Sequence, residues 1–130
     1  MSTREKLSPF KVITDGSMSG NLTSAVTIIS GISMLSYGFS WVGTSPVGTV
    51  SVQVSNDYAL DVTGAVANAG TWNTLTLNVG GTPATTVAVS GNTGNGGVDI
   101  FQTGFYAIRC IYTRASGTGT LQATIAGKVA

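Results

Sequence analysis

Apolar side chains recur at every second residue through much of this chain, and that spacing admits strands with one buried face and little else. Val50, Val52 and Val54 alternate with Ser51, Gln53 and Ser55. Upstream, Leu35, Tyr37, Phe39 and Trp41 alternate with Ser36, Gly38 and Ser40, which sets three aromatic rings on one face of a strand expected to be central. No stretch carries the helical period.

The Gly and Pro punctuation of 42–48 predicts a turn joining strands at 32–42 and 48–55 into a hairpin. A second hairpin is expected from Phe105–Arg114 and Thr118–Val129 around Ala115-Ser116-Gly117. There Tyr106, Ile108, Cys110 and Tyr112 share a face, Leu121, Ala123 and Ile125 pack opposite or diagonally, and Arg109, Gln122, Thr124 and Lys128 point the other way. Shorter strands are expected near 10–14, 22–29, 72–78, 84–89 and 98–102. About eight strands without crossover helices predict an all-β fold, a two-sheet antiparallel β-sandwich of jelly-roll type, with a closed barrel as competitor. Residues 10–130 read as a single domain and residues 1–9 as a flexible arm.

A chain of 130 residues is long enough to bury a core without disulfide or metal, so the lone Cys110 is expected to be a small core hydrophobe. Charged residues make up 8%, far below the roughly 25% of ordinary domains, yet mean hydropathy is positive, which separates the chain from disordered sequences. A net charge of +1 gives copies little reason to repel, a hint of assembly. No apolar run approaches the length of a spanning helix, and the polar start Met1-Ser2-Thr3-Arg4-Glu5-Lys6 does not read as a secretory leader, so neither a membrane nor a secreted protein is expected. The match of Asn21-Leu22-Thr23 to a glycosylation acceptor is then fortuitous.

Histidine is absent, and with it the commonest general base and metal ligand. The chain is therefore expected to be non-enzymatic, with no catalytic residue, cofactor or metal. Among the five carboxylates, Asp57 and Asp61 lie near each other beside Ser55-Asn56, where Asx turns are the natural reading; an irregular calcium site and glycoside hydrolysis, the latter also open to Asp99, are the competing ones. Gly91–Gly97 lacks the lysine of a phosphate-binding loop and reads as a flexible surface loop. Beyond residue 11 only Arg109, Arg114 and Lys128 are basic, too few for nucleic acid.

Half of the Lys and Arg residues fall in the first eleven positions. Arg4, Lys6, Pro9, Phe10 and Lys11 are thus the candidate contacts of an arm lying on a partner, with a frayed terminus as the plainer reading. Trp41 continues a core face, whereas Tyr58 and Trp72 are candidates for sugar stacking.

The run from Trp41 to Tyr58, a later Trp72, Ile108-Arg109-Cys110-Ile111-Tyr112-Thr113 and Ser116-Gly117-Thr118-Gly119-Thr120-Leu121 resemble small virion structural proteins of tailed bacteriophages, of the capsid decoration or cement type. The resemblance covers about residues 35–128. It implies a β-sandwich subunit on the outer capsid surface, made in the bacterial host cytoplasm, whose partners are the major capsid protein and further copies of itself, a trimer being favoured. The alternative is a carbohydrate- or receptor-binding sandwich module of a tail fibre or spike.

Overall fold

The computed structural model describes residues 6–30, 32–79, 81–101 and 105–128. Among them the chain is all-β and antiparallel, and no helix forms. The strands are β1 (Lys6–Ser17), β2 (Leu22–Thr23), β3 (Thr27–Ile28), β4 (Met34–Ser55), β5 (Ala59–Leu60), β6 (Val66–Asn68), β7 (Asn73–Thr74), β8 (Leu77–Val79), β9 (Thr82–Ala84), β10 (Val87–Val89), β11 (Thr93–Phe101) and β12 (Ala107–Lys128).

β4 and β12 form the frame. Each is 22 residues long, and they pair antiparallel from Ala107↔Ser55 to Lys128↔Met34. The two hairpins expected at 43–47 and 115–117 do not exist. Each Gly-rich segment lies inside one continuous strand, and the partner of each half is the other long strand rather than its own continuation. Leu121, Ala123 and Ile125 accordingly stand opposite Trp41, Phe39 and Tyr37. Tyr106 precedes the strand and is exposed, outside the face assigned to it.

Folding this ribbon near its middle gives two layers. The first half, residues 34–42 with 120–128, is flanked by β11 and β1, with β8 and β9 beyond β11. The second half, 48–55 with 107–114, is flanked by β10 and β7 on one side and by β2 and β3 on the other. Leu35, Tyr37, Phe39 and Trp41 from the first half join Val50, Val52, Val54, Ile108, Cys110 and Tyr112 from the second in a single buried cluster. The fold is a β-sandwich whose two layers share their central strands.

The buried set changes parity at the fold. In β4 it runs over 35, 37, 39 and 41 and then over 46, 48, 50, 52 and 54; in β12 it passes from 108, 110 and 112 to 121, 123 and 125. A plain bend keeps parity, because side chains alternate strictly along extended backbone. One residue in each strand must therefore leave the extended phase, as in a bulge. Ser45 (φ 46°) and Gly117 (φ 77°) are those residues, and they face each other: a Cβ on Gly117 would lie 2.1 Å from the Ser45 carbonyl oxygen.

The residues read as a loose Gly-rich loop hold this corner. Thr93–Gly97 belong to β11, which pairs with β4 along its first half. Asn92 accepts the Gly43 amide at 2.7 Å through its carbonyl and the Ser45 amide at 2.8 Å through Oδ1, which offsets the roughly 1–2 kcal/mol cost of a left-handed serine. Gly94 leaves room for the Trp41 indole, where a Cβ would stand 2.3 Å from the ring.

Residues 6–9 of the span read as an arm are strand, and residues 1–5 lie outside the described residues. β1 begins at Lys6 on the edge of the sheet, with Lys6 opposite Lys128 and Leu7 opposite Gly127. Pro9 falls at the register shift between Leu7 and Phe10, where an edge strand tolerates a residue without an amide hydrogen. The segments expected at 22–29, 72–78 and 84–89 are each broken into two short strands, two expected pairs are merged into β4 and β12, and β5 and β6 are additional, so the strands number twelve among the described residues.

Gly43 and Gly38 share a strand but differ in surroundings. A Cβ on Gly43 meets the Thr118 carbonyl oxygen at 2.2 Å, while one on Gly38 meets nothing within 4 Å. Gly43→Ala is expected to destabilise the protein by about 2 kcal/mol or more through displaced backbone. Gly38→Ala should be neutral or stabilising by up to about 1 kcal/mol, since it removes unfolded-state freedom. Urea titration of both variants checks the contrast.

Candidate functional site

Residues 56–72 leave the sandwich in an extended excursion from the end of β4. Ser55, almost fully buried, starts it: its Oγ donates to Asp57 Oδ1 at 2.8 Å and accepts the amides of Asp57 and Tyr58 at 3.3 and 3.2 Å. Asp57 Oδ1 also accepts the Thr71 amide at 2.6 Å, which closes the neck of the excursion. The Thr71 amide first, and the Ser55 hydroxyl next, hold the Asp57 carboxyl below its ordinary pKa.

Trp72 fixes the root to the sheet. Its indole N–H donates to the Ala69 carbonyl at 2.9 Å, and its ring stands 5.8 Å from Tyr58 at a 56° tilt. The Arg109 guanidinium carbon lies 4.2 Å from the ring centroid, a cation–π contact. Arg109 is itself held by its cross-strand neighbour Gln53, whose Oε1 accepts Nε at 3.0 Å and Nη2 at 2.8 Å. Gly70, at φ 84°, completes the root, since a Cβ there would come within 2.9 Å of Ser55 Oγ and 3.2 Å of Trp72 Nε1.

Beyond the neck, β5 and β6 form a separate two-stranded sheet with Leu60 opposite Val66. Asp61 organises the tip. Its Oδ1 accepts the amides of Thr63 and Ala65 at 2.8 and 3.1 Å and the Thr63 hydroxyl, and its backbone amide reaches the Ala65 carbonyl. These bonds, led by the Thr63 hydroxyl, lower the Asp61 pKa. Three apolar side chains remain in water: Leu60 is 44% exposed, Val66 55% and Val62 105%.

Tyr58 and Trp72, the candidates for sugar stacking in the alternative reading, lie against each other, with Arg109 over the indole ring and the indole N–H already engaged. Asp57 and Asp61 are turn-makers. Arg4 lies outside the described residues. Phe10 and Lys11 stand exposed on the edge strand β1, and Lys11 Nζ donates to Gln122 Oε1 at 3.3 Å, beside the pairing of Gln122 with Asp15. Cys110 is fully buried, and burial pushes its thiol up to about 11. Among the described residues no three His, Cys, Asp or Glu side chains gather as a metal site requires.

Sequence reasoning missed the Arg109 support beneath Trp72 and the projecting tip. The tip had a signal: Leu60, Val62 and Val66 around Asp61 and Gly64 carry a short hairpin's pattern.

No protein-family model matches this chain, and no curated protein does. Among solved structures it is similar to the SPBc2 prophage-derived protein YomS, with a TM-score of 0.62 over 97% of this chain and 96% of that one, at 9% identity. The likeness is one of fold and extends over nearly the whole of both chains.

The carboxyls of Asp57 at the neck and Asp61 at the tip are both lowered in the folded state, so their stabilisation is complete above the unfolded value near 3.8 and is lost as pH falls through the lower folded values. The amides of Thr63, Ala65 and Thr71 are expected to lose hydrogen-exchange protection between about pH 4 and pH 2 while those of β4 and β12 keep theirs. NMR-detected exchange across that range checks it; uniform loss would show that the carboxylates do not act locally.

Proposed function

We propose that this protein is a non-enzymatic structural component of a tailed-phage particle, a decoration or cement subunit that sits on the outer head shell as a closed oligomer. The observation that carries this reading is the full-length likeness to a prophage-derived protein, which accords with the resemblance of the sequence to phage virion proteins. The physics is compatible. A surface with few charges resists association weakly, and a sandwich whose layers share their long central strands is a stiff element for bridging a seam. Repeated over a shell, modest contacts gain from high effective concentration.

In this reading the partners are the major capsid protein and other copies of the chain, and neither nucleic acid nor a membrane is involved. The edge strand β1, with Lys6, Pro9, Phe10 and Lys11, and Arg4 before it supply the capsid contact. The rival reading, a glycan- or receptor-binding tail module, asks for a free ring face at Tyr58 or Trp72, and the guanidinium over Trp72 disfavours it.

Sedimentation with capsids from the same source tests the proposal. Parent protein should co-sediment as an oligomer, and Arg4→Ala/Lys6→Ala/Phe10→Ala/Lys11→Ala should cut occupancy at least about fivefold with the thermal midpoint little changed. A parent protein that ignores capsids while binding a glycan array, with binding lost in Trp72→Ala, would overturn it.

A further inference from the structure

An apolar projecting tip and a hollow lie at two separate places on the same chain. The tip shows Leu60, Val62 and Val66 to water on a two-stranded sheet, an element marginal on its own. Its root is nonetheless fastened by Asp57, Trp72 and Arg109, so the apolar residues are held away from the sandwich instead of collapsing onto it. Natural strand edges left open are guarded by lysine, proline or inward charges. Residues 59–68 carry none of these save Asp61, whose carboxylate is occupied at the tip.

The hollow, of about 360 Å3, lies where the first half of the ribbon ends, against Met34, Leu35, Ala126 and Gly127 with Ser36, Asp99 and Lys128 around it. Ser36 and Ala126 belong to the outward phase of that half. Arg109 and Gln53, which carry the root of the tip, belong to the outward phase of the other half. Knob and hollow therefore sit on opposite outer faces of the sandwich, the arrangement of a head-to-tail contact, which closes into a ring when the rotation allows.

We propose that the tip of residues 60–66, led by Val62, docks into the Met34–Ala126 hollow of a second copy, each subunit giving one contact and receiving one. This rests on the oligomeric part of the proposed function and names its interface. The exposed apolar tip makes a second copy the occupant, and charge does not oppose it. The tip's single charge, Asp61, finds both Lys128 and Asp99 at the rim, so a nearly uncharged chain offers itself an apolar seat with no net repulsion. Three side chains make a contact below the usual interface size, so closure, with two contacts per subunit, is what gives it lifetime.

Paired cysteines test the geometry. In Val62→Cys/Ser36→Cys, mild oxidation should give a covalent ladder ending at the ring, while each single variant stays uncross-linked; buried Cys110, with its raised pKa, does not take part. Val62→Asp should weaken self-association at least about tenfold with an unchanged thermal midpoint. Cross-linking of Val62→Cys alone would mean that tips meet each other, and a parent protein that is monomeric, or an oligomer that the double variant does not cross-link, would equally overturn the inference. A chain that forms the ring yet does not co-sediment with capsids would sink the proposed function and leave this interface standing.

Discussion

Two residues that leave the extended phase at the same height, Ser45 in β4 and Gly117 in β12, allow one long ribbon to line both layers of a sandwich. Without them the parity of the buried set would persist through the bend, and Val50, Val52 and Val54 would turn to solvent as Ile108, Cys110 and Tyr112 did the same. Each of those side chains is worth roughly 1.5–3 kcal/mol when buried, so the matched switch governs far more stability than the two residues contribute themselves. The rest of the corner serves it. Asn92 satisfies the Gly43 and Ser45 amides, Gly43 and Gly119 let the backbones touch, and Met18 fills the space behind, its amide bonded to the Gly119 carbonyl at 2.8 Å.

That frame also decides where function can be built. Because both central strands run through both layers, the outward phases of the two halves become opposite faces of a stiff body. Gln53 and Arg109 on one face hold Trp72 and through it the root of the tip; Ser36 and Ala126 on the other border the hollow. Asp57 and Asp61 each accept backbone amide and hydroxyl hydrogens through Oδ1, which ties down the excursion and leaves the apolar tip as its distinctive surface.

Much of this was legible in the sequence because burial on one face leaves a period of two. The alternations at 35–41 and 50–54 located the core faces of β4, and Cys110 fell in the core as expected. Connectivity was not legible. Gly43-Thr44-Ser45-Pro46 and Ala115-Ser116-Gly117 have the composition of turns, and the same residues serve a bulged corner, since both need a positive φ and close backbone approach. Local composition cannot separate the two; only the partner strand, more than sixty residues away, does. The Gly-rich stretch 91–97 misled for a similar reason: Gly94 is there to clear the Trp41 ring, which no local rule reveals. At the candidate site, Tyr58 and Trp72 were each singled out for sugar stacking, but that they meet, and that a guanidinium lies over the indole, depends on the fold of the excursion and the β4–β12 register and was out of reach.

The most direct test of the account is a set of cross-strand nuclear Overhauser contacts across the corner. The account predicts that Trp41 sees Leu121 and that Val50 sees Tyr112, with the α-protons of Gly43 and Gly119 close together. Contacts instead between residues 41 and 49, or between 114 and 118, would show two separate hairpins and contradict the shared ribbon on which the fold and the placement of the tip rest.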